Sequence, residues 1–330
     1  MPILCLAEAF RRMDKQEKEQ KETFNHKLKV PTFSCFYSFN FVLVKIQSIL
    51  LFLSFYCLSL FSFAQKNDLK VLSWNVFLRP GILRDNQLER TKEIGVYLLH
   101  SDADVIILQE VFHKKSRVEL IKVLKGIYPN HTSRGPLSFF GVSSGVLIFS
   151  KLPLLEEHFG SFKSGTGSDR LAKKGFVQTD INWYGESIGI FGTHLQAGTS
   201  LRCMNIRKEQ IIEIANASKR LDASSPILFG GDFNLKSKGE MFGFLTKTLD
   251  IEELELESKI KYSANFSDQD LFPHEGKSVW IDFILLRRTA RMIQAKVWIE
   301  EPKEIKSGIM TRISDHNPVL SLFRPIEFEH

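Results

Sequence analysis

Short apolar runs that each end in a single polar residue recur along this chain and constrain its fold more than any other feature. The runs VLSW, VIILQ, IGIFGT and PILFGG are followed by Asn75, Glu110, His194 and Asp232. A charged or amide group at the end of a buried strand is costly unless it is paired or binds a metal ion. One such case would be incidental, but the context repeats, so we expect the strand ends to meet at one site.

Apolar runs alternate with amphipathic stretches over residues 65–330. Alternation of apolar and polar residues predicts strands, and apolar spacing of three and four residues predicts helices. The predicted helices are 86–100, with Asp85 as the N-cap, and 207–221; the predicted strands are 70–78, 104–111, 144–150, 175–183, 187–195, 226–233, 278–286, 290–300 and 318–323. Many strands, few helices and no linker favour one α/β domain with two sheets packed face to face and covered by helices.

The first 64 residues differ from the rest of the chain in hydropathy. Val44-Lys45 precede an uncharged apolar run, 46–64, that ends in Ser-Phe-Ala. This pattern predicts a signal peptide over 44–64 that is cleaved before Gln65, and hence a secreted protein; a signal anchor in the membrane is the alternative. Residues 1–43 are polar and are expected either to be disordered or to precede the true start of translation.

Cleavage at that position leaves Cys203 as the one cysteine, so the mature chain has no internal disulfide. We expect a buried thiol there rather than a nucleophile. Residues 65–330 hold 36 Lys and Arg against 33 Asp and Glu. This balance does not favour a nucleic-acid partner, and it is compatible with an anionic or zwitterionic surface.

The polar residues fit hydrolysis of a phosphate ester. Oxygen ligands without cysteine favour a hard divalent ion, Mg²⁺ first, with Mn²⁺ or Co²⁺ as alternatives and room for a second ion. Glu110 and Asn75 are the candidate ligands, and His316 is the candidate general base with Asp282 as the carboxylate that orients it. Taken singly, each residue also has an ordinary structural explanation, such as a turn, a helix cap or a buried ion pair.

Asp232 and Asn234 stand two residues apart, so on a strand both side chains would face the phosphorus atom. We expect Asp232 to position or activate the attacking water and Asn234 to donate to the pentacoordinate oxygens. His194 is expected to contact the phosphate or to protonate the leaving oxygen.

The stretch GTGSDRLAKKGF, residues 165–176, has the composition of a phosphate cradle. It lacks the spacing of a P-loop or of a dinucleotide-binding turn, so it is not expected to bind a nucleotide. Asp169, Arg170 and Lys174 are instead expected to shape the headgroup side of a phosphodiesterase site, with solvated loop charges as the alternative.

In order along the chain, WNVF, DVIILQEVF, GTHLQA, GGDFN, IDFIL and SDHNPV resemble the endonuclease/exonuclease/phosphatase superfamily over about residues 70–325. The resemblance implies the deoxyribonuclease-I-like four-layered α/β sandwich, in which two mostly antiparallel or mixed sheets are flanked by helices. Within the superfamily, NVFLRPG, SGTGSDRLAKKGF and GTHLQA are most similar to secreted bacterial neutral sphingomyelinases. This implies Mg²⁺-dependent cleavage of sphingomyelin to ceramide and phosphocholine by the residues named above, with Asp315 beside the metal or at a second ion site.

One departure from that family concerns the membrane. Residues 262–280 are too short for the long hairpin with paired tryptophans that some secreted sphingomyelinases carry, which argues against strong membrane insertion; Phe139-Phe140 form another candidate apolar tip. We expect a sphingomyelin bilayer as the partner, no nucleic acid, no obligate protein partner and a monomer. The alternatives are a secreted nuclease, a phosphoinositide or sugar-phosphate phosphatase of the same superfamily, and a non-enzymatic host-surface-binding protein on an inactive version of the fold.

Overall fold

The structure, a computed structural model, describes residues 68–326 apart from 84, 252–255, 266–276, 290 and 307–308, together with Lys15 and Lys18. Apart from those two lysines, the predicted leader and signal peptide lie outside the described residues. No helix within the described residues has the length and hydropathy needed to cross a bilayer.

Strands dominate the described part of the chain. They are β1 (Leu69–Leu78), β2 (Val105–Val111), β3 (Asn130–His131), β4 (Leu147–Ser150), β5 (His158–Ser161), β6 (Gly175–Trp183), β7 (Glu186–His194), β8 (Ile227–Asp232), β9 (Asp282–Leu286), β10 (Met292–Ile299), β11 (Lys303–Lys306), β12 (Ile309–Arg312) and β13 (Val319–Pro325). The helices are α1 (Gln87–His100), α2 (Lys114–Leu124), α3 (Leu201–Ser218) and α4 (Glu240–Leu249), with short 3-10 turns at Gly81–Leu83 and Gly167–Arg170.

Parallel pairing occurs twice among these strands, and each time a helix makes the crossover. β1 pairs in parallel with β2 across α1, and β7 pairs in parallel with β8 across α3. Parallel neighbours need such a long return path, whereas antiparallel neighbours can be joined by a short turn. The other pairs are antiparallel, so both sheets are mixed: β10-β13-β1-β2-β4-β3 and β5-β6-β7-β8-β9, with β11 and β12 as a separate hairpin.

Period-two alternation along the strands gives each sheet two apolar faces. Residues such as Val71, Ile107 and Leu228 pack together between the two sheets. Their neighbours Leu72 and Phe229 pack outward, the first against α1 and α2 and the second against α3 and α4. The layers are therefore helices, six-stranded sheet, five-stranded sheet and helices, which confirms the predicted four-layered sandwich with two mixed sheets.

Two glycines let the sheets approach closely at their centre. A β-carbon on Gly230 would lie 2.4 Å from Ile107 Cδ1, and one on Gly192 would lie 2.9 Å from Ile107 Cγ2. Ile107 on β2 therefore occupies the space that larger side chains on β7 and β8 would need. This close contact brings the ends of β2, β7 and β8, where the predicted site residues lie, to the same place.

The predicted start of the first helix is wrong by one residue. α1 begins after Asn86, which adopts a left-handed φ of 55°, and not after Asp85. Asp85 instead forms an ion pair with Arg79 at 2.8 Å. A carboxylate with a nearby guanidinium partner is better satisfied in that pair than as a cap.

The second predicted helix, 207–221, begins too late and ends too late. α3 already begins at Leu201, because Ser200 caps it by accepting a hydrogen bond from Cys203 N at 3.2 Å. Several predicted strands are shorter than expected: β4 begins at Leu147, β8 ends at Asp232, β9 begins at Asp282 and β10 runs only from Met292 to Ile299.

Candidate active site

Three neighbouring strands place three titratable side chains in one row. His194 ends β7, Asp232 ends β8 and Asp282 begins β9, and the strand register pairs His194 with Asp232 and Asp232 with Asp282. All three side chains are buried. His194 Nε2 lies 3.4 Å from Asp232 Oδ2, so the row is also a chain of close contacts.

His316 reaches this row from the segment that leads into β13. Its Nδ1 lies 2.8 Å from Asp282 Oδ2, and its Nε2 lies 3.9 Å from Asp232 Oδ2. Trp74 Nε1 donates to the His316 carbonyl oxygen at 2.8 Å, which fixes the backbone. Asp282 thus stands where an orienting carboxylate must stand, while its catalytic role stays a prediction.

Burial and the attraction between opposite charges oppose each other in setting the pKa of His316 and that of Asp232, and both pKa values are raised. Burial alone would lower the pKa of His316, but the charge and hydrogen bond of Asp282, with the Asp232 and Asp315 carboxylates, raise that pKa well above its usual range. Burial, with repulsion from Asp282, raises the pKa of Asp232 to about 7, against the pull of His316 and Lys174. The two groups therefore bind and release protons as a coupled pair.

Asn75 holds two carboxylates in place through its amide nitrogen. Nδ2 donates to Glu110 Oε1 and to Asp232 Oδ2, each at 3.1 Å. The Oδ1 atom accepts from the backbone N–H of Phe77 at 3.1 Å, and this donor determines which end of the amide is oxygen. The predicted role of Asn75 as a metal ligand would therefore require the amide to turn.

Non-glycine residues with left-handed backbones stand at the ends of three of the strands. Phe77, Glu110 and Asn234 have φ values of 50°, 58° and 53°. Each such residue costs on the order of 1–3 kcal/mol, a strain typical of functional sites. At Glu110 the left-handed residue interrupts the alternation of β2, which would otherwise turn this carboxylate to the helix side with Leu108, and the side chain lines the cleft instead.

The period-two argument for Asn234 is wrong, because β8 ends at Asp232 and Asn234 lies beyond it. Its backbone N–H donates to Asp232 Oδ1 at 2.9 Å, which closes an Asx turn, and its Nδ2 donates to Leu195 O at 3.2 Å. Asn234 lines the same cleft as Asp232, so Asp232 reaches the site at the end of β8 and Asn234 reaches it through the turn that follows, not through strand alternation.

Asp315 and Glu110 form a second pair of neighbouring carboxylates. Burial raises the pKa of Asp315 to about 6, with repulsion from Glu110 adding to the rise and attraction to His316 and Arg90 opposing it. Mg²⁺ is usually held by one or two carboxylates together with water and substrate oxygens. Paired carboxylates with poorly compensated charge therefore fit a hard divalent ion.

Asp232, Asp282 and His316 also offer ligand atoms within 4.8 Å of one another. In that group the His316 Nδ1 atom is engaged by Asp282 at 2.8 Å. A hard cation prefers oxygen ligands, so the Glu110–Asp315 pair suits it better than this histidine-containing group.

Lys174 is buried beside His194, in the wall shared by the cleft and its adjoining pocket. Its ammonium group meets Asp169 Oδ1 at 2.9 Å, His194 Nε2 at 3.0 Å and Leu195 O at 3.1 Å, which occupies all three of its donors. Because Nε2 of His194 accepts, this imidazole is neutral. Burial, with the nearby charges of Lys174 and His316, lowers the pKa of His194 well below its usual range.

The predicted substrate residues of the 165–176 loop thus divide into two groups. Asp169 accepts from Lys174 and from Ala197 N at 2.7 Å, so these two residues support His194. Arg170 is exposed and lines an adjoining pocket.

Sequence reasoning missed Arg90, a buried arginine on α1. Its guanidinium donates to the carbonyl oxygens of Val76 at 3.2 Å and Phe77 at 2.6 Å, and to that of Ile313 at 3.0 Å. It therefore joins the end of β1 to the segment that carries Asp315. Its place on a helix face gave no local signal of this role.

A cleft of about 1530 Å³ opens above the cluster. Its base holds polar residues that the sequence singled out, including Glu110, Asp232 and His316. Its walls are mostly apolar, with residues such as Phe140 and Met241. A large cleft with apolar walls and a few convergent polar groups is the usual form of a site for a small organic ligand.

Comparison with known proteins agrees with this geometry. The model of the Endonuclease/Exonuclease/phosphatase family matches residues 72–316. Sphingomyelinase C of Bacillus cereus is 35% identical over 194 residues, which are 52% of this chain and 58% of that protein. Phospholipase C of Staphylococcus aureus is 31% identical over 209 residues, which are 57% of this chain and 63% of that protein. The matches thus span about three fifths of these relatives.

Two solved structures resemble this chain over nearly their whole length. A beta toxin of Staphylococcus aureus superposes with a TM-score of 0.68 at 26% identity and covers 77% of this chain and 99% of its own. A mutant of beta toxin with bound magnesium ions has a TM-score of 0.67 at 26% identity, with the same coverage. With the family match running from Leu72 in β1 to His316 at the site, the chain is a member of the Endonuclease/Exonuclease/phosphatase family.

Proposed function

We propose that this chain is a divalent-cation-dependent phosphodiesterase that hydrolyses sphingomyelin to ceramide and phosphocholine. The observation that carries the proposal is the buried group of His316, Asp282, Asp232 and His194 at the base of a cleft with apolar walls. The identity to proteins named sphingomyelinase C supports the choice of substrate. The apolar walls suit a lipid better than a nucleic acid.

His316 is the proposed general base. Such a base needs an orienting partner on one ring nitrogen and a free approach to water on the other. Asp282 holds Nδ1 at 2.8 Å, and Nε2 lies 3.9 Å from Asp232 Oδ2 at the lining of the cleft. Nε2 and the Asp232 carboxylate can therefore both address one attacking water.

The raised pKa of His316 means that the imidazole must lose a proton before it can act as a base. Asp315 is one of the carboxylates that hold this proton, so neutralising Asp315 lowers the pKa of His316. The protonation of the base is thereby linked to the state of the carboxylate pair.

Glu110 and Asp315 are the proposed ligands of the divalent ion. When bound, Mg²⁺ would polarise a phosphoryl oxygen and offset the charge that develops on the leaving oxygen. The chain keeps the pair in place because Asn75 donates to Glu110 at 3.1 Å and Ser314 Oγ donates to Asn75 O at 2.7 Å.

In the reaction, the oxygen of water forms a bond to phosphorus as His316 takes one of its protons. The bond between phosphorus and the ceramide oxygen breaks, and that oxygen takes a proton from solvent water, which gives ceramide and phosphocholine, while His316 releases its proton to solvent. His194 is neutral and its Nε2 accepts from Lys174, so its proposed role is to bind at the phosphate and not to act as the proton donor.

The proposal includes the setting of the enzyme. We propose a secreted monomer, released by cleavage of residues 44–64, that acts on bilayer sphingomyelin without an obligate protein partner. N-terminal sequencing of the exported protein should give Gln65 as the first residue. A mature protein that begins within residues 1–43 would contradict the export prediction.

The decisive experiment measures phosphocholine release from sphingomyelin vesicles with Mg²⁺, beside phosphatidylcholine vesicles and DNA. We expect sphingomyelin to be preferred and His316→Ala to lose about 10²–10⁴-fold in rate while it stays folded. Preferential DNA cleavage would identify a nuclease, and phosphate release from phosphoinositides or sugar phosphates would identify a phosphatase. Binding without turnover on any of these substrates would support the non-enzymatic alternative.

A further inference from the structure

Exposed apolar side chains stand on three loops at the mouth of the cleft. Ile82 is 87% exposed in the turn after β1, and Leu171 is half exposed after the turn Gly167–Arg170. Between β3 and β4, Phe139 is 97% exposed and Phe140 is 64% exposed. Ile82, Phe140 and Leu171 all line the cleft, so these separate loops form one apolar rim. Exposed apolar side chains gathered at one cleft mouth mark an interaction surface.

The loop that carries the two phenylalanines is held in shape by hydrogen bonds. Ser138 N donates to Val142 O at 2.8 Å, and Gly141 N donates to Ser138 O at 2.9 Å, which closes a tight turn. Ser138 Oγ donates to Leu171 O at 2.7 Å and fastens this turn to its neighbour. The two aromatic rings pack edge to face with centroids 5.5 Å apart. The tip is therefore pre-formed, with its rings held outward.

Unpaired cations lie directly beside this tip. A pocket of about 230 Å³ that adjoins the cleft is lined by Phe139 together with Lys163, Arg170 and Lys173. All three cations are exposed, and within the described residues none of them forms an ion pair with a carboxylate. The one carboxylate of this pocket, Asp169, is already paired with the buried Lys174.

We propose that this face, Ile82, Phe139, Phe140 and Leu171 with Lys163, Arg170 and Lys173, docks onto a bilayer that contains anionic lipid. Aromatic and aliphatic tips enter the interface while lysine and arginine meet phosphate oxygens, the combination by which peripheral proteins bind anionic membranes. The rim lies at the cleft mouth. Docking would therefore present a lipid headgroup to the site while the lipid stays in the bilayer. The reason for docking rests on the proposed function, but binding to vesicles can be measured without hydrolysis.

Co-sedimentation with vesicles in EDTA tests the docking face without hydrolysis. The vesicles contain sphingomyelin and phosphatidylcholine, with or without phosphatidylserine. We expect Phe139→Ser to weaken binding about tenfold. Phosphatidylserine should increase the affinity of the wild type for vesicles. The double variant Lys163→Gln/Lys173→Gln should lose most of this increase, because each lysine is expected to contribute about fivefold in affinity. Turnover of soluble bis(4-nitrophenyl) phosphate should be unchanged in both.

Matched controls lie on the outer surface of α2. Val118 is 59% exposed and the Lys122 side chain 77% exposed, and neither lines the cleft or the pocket, so Val118→Ser and Lys122→Gln should bind vesicles as the wild type does. Docking is overturned if the Phe139 and Lys163/Lys173 variants bind like these controls, or if phosphatidylserine does not increase wild-type binding. Vesicle binding that responds to the variants, without phosphocholine release in Mg²⁺, would uphold docking and refute the proposed function.

Discussion

Loss of Arg90 should damage catalysis beyond its cost in stability, because Arg90 joins the two segments that carry the site. Its guanidinium is 3% exposed and donates to the carbonyl oxygens of Val76, Phe77 and Ile313 at 2.6–3.2 Å. The first two carbonyls follow Asn75 directly, and the third precedes Asp315 by two residues. Arg90→Met removes all three bonds and leaves these carbonyls without this donor.

Truncating one partner of a buried, charged network costs about 3–5 kcal/mol. For a domain of this size one kcal/mol shifts Tm by roughly 2–4 °C, so Arg90→Met should lower Tm by about 6–20 °C. Without Arg90 the bonds from Trp74 to His316 and from Ser314 to Asn75 still link the segment to β1, but the link through Val76, Phe77 and Ile313 is lost, so we expect the segment to shift. A displacement of about 1 Å in such a site costs about 100-fold in rate, so we expect kcat to fall by about that factor with a smaller change in KM.

The assay pairs thermal unfolding with steady-state kinetics at a temperature where every variant is folded. Arg117→Met is the matched control, because Arg117 is a buried arginine on α2 that donates to Thr132 O at 3.0 Å, away from the cleft. It should lower Tm and leave kcat near the wild-type value. If both variants lower kcat equally once they are folded, Arg90 is only a structural residue and the reasoning fails.

Three further outcomes are expected. Asp282→Asn should lower kcat by about 10²–10⁴-fold without unfolding the protein, because His316 loses its orienting anion; a near-normal rate would contradict this. EDTA should stop turnover and Mg²⁺ restore it, with Glu110→Gln needing more Mg²⁺ for half-maximal rate, and activity that persists in chelator would refute a metal site. Burial and Glu300 raise the pKa of Tyr97 well above its usual value, so the unfolded state loses this proton first and the free energy of unfolding should fall above about pH 10. Tyr97→Phe should make the free energy of unfolding fall less steeply with pH above that value. An equal fall in both proteins, measured by denaturant titration at several pH values, would contradict this role of Tyr97.

The strands that position the site were predictable because their pattern is local. Short apolar runs mark β1, β2, β7 and β8 in the sequence, and the polar residues near the ends of β2, β7 and β8 line the cleft. The helices α2 and α4 were missed for physical reasons. The buried stripe of α2 includes Ser116 and Arg117, which weakens its apolar periodicity, and α4 contains Gly243 and adjacent aromatic residues, which do not favour a helix.

Within the site, the features that could not be predicted are those that depend on distant contacts. Arg90 bonds to Ile313 across 223 residues, and no local pattern indicates that link. Lys174 was expected at the headgroup side of the site, near the phosphate of the substrate, yet its ammonium group contacts Asp169 and His194. Nor does sequence indicate the left-handed backbone of Glu110, because glycine is the usual sign of that conformation.

The raised pKa values of Asp315 and His316 would link cation binding at the proposed site to base activation. Asp315, with a pKa raised to about 6, carries charge that a cation would stabilise, and the same charge helps hold a proton on His316. A neutral residue at Asp315 would therefore weaken the cation site and lower the pKa of His316 together. Asp282 differs, because its hydrogen bond orients the imidazole as well as raising its pKa. Substitutions at Asp315 should thus change the metal requirement and the ionisation of the base at once, while those at Asp282 should in addition remove the hydrogen bond that orients the base.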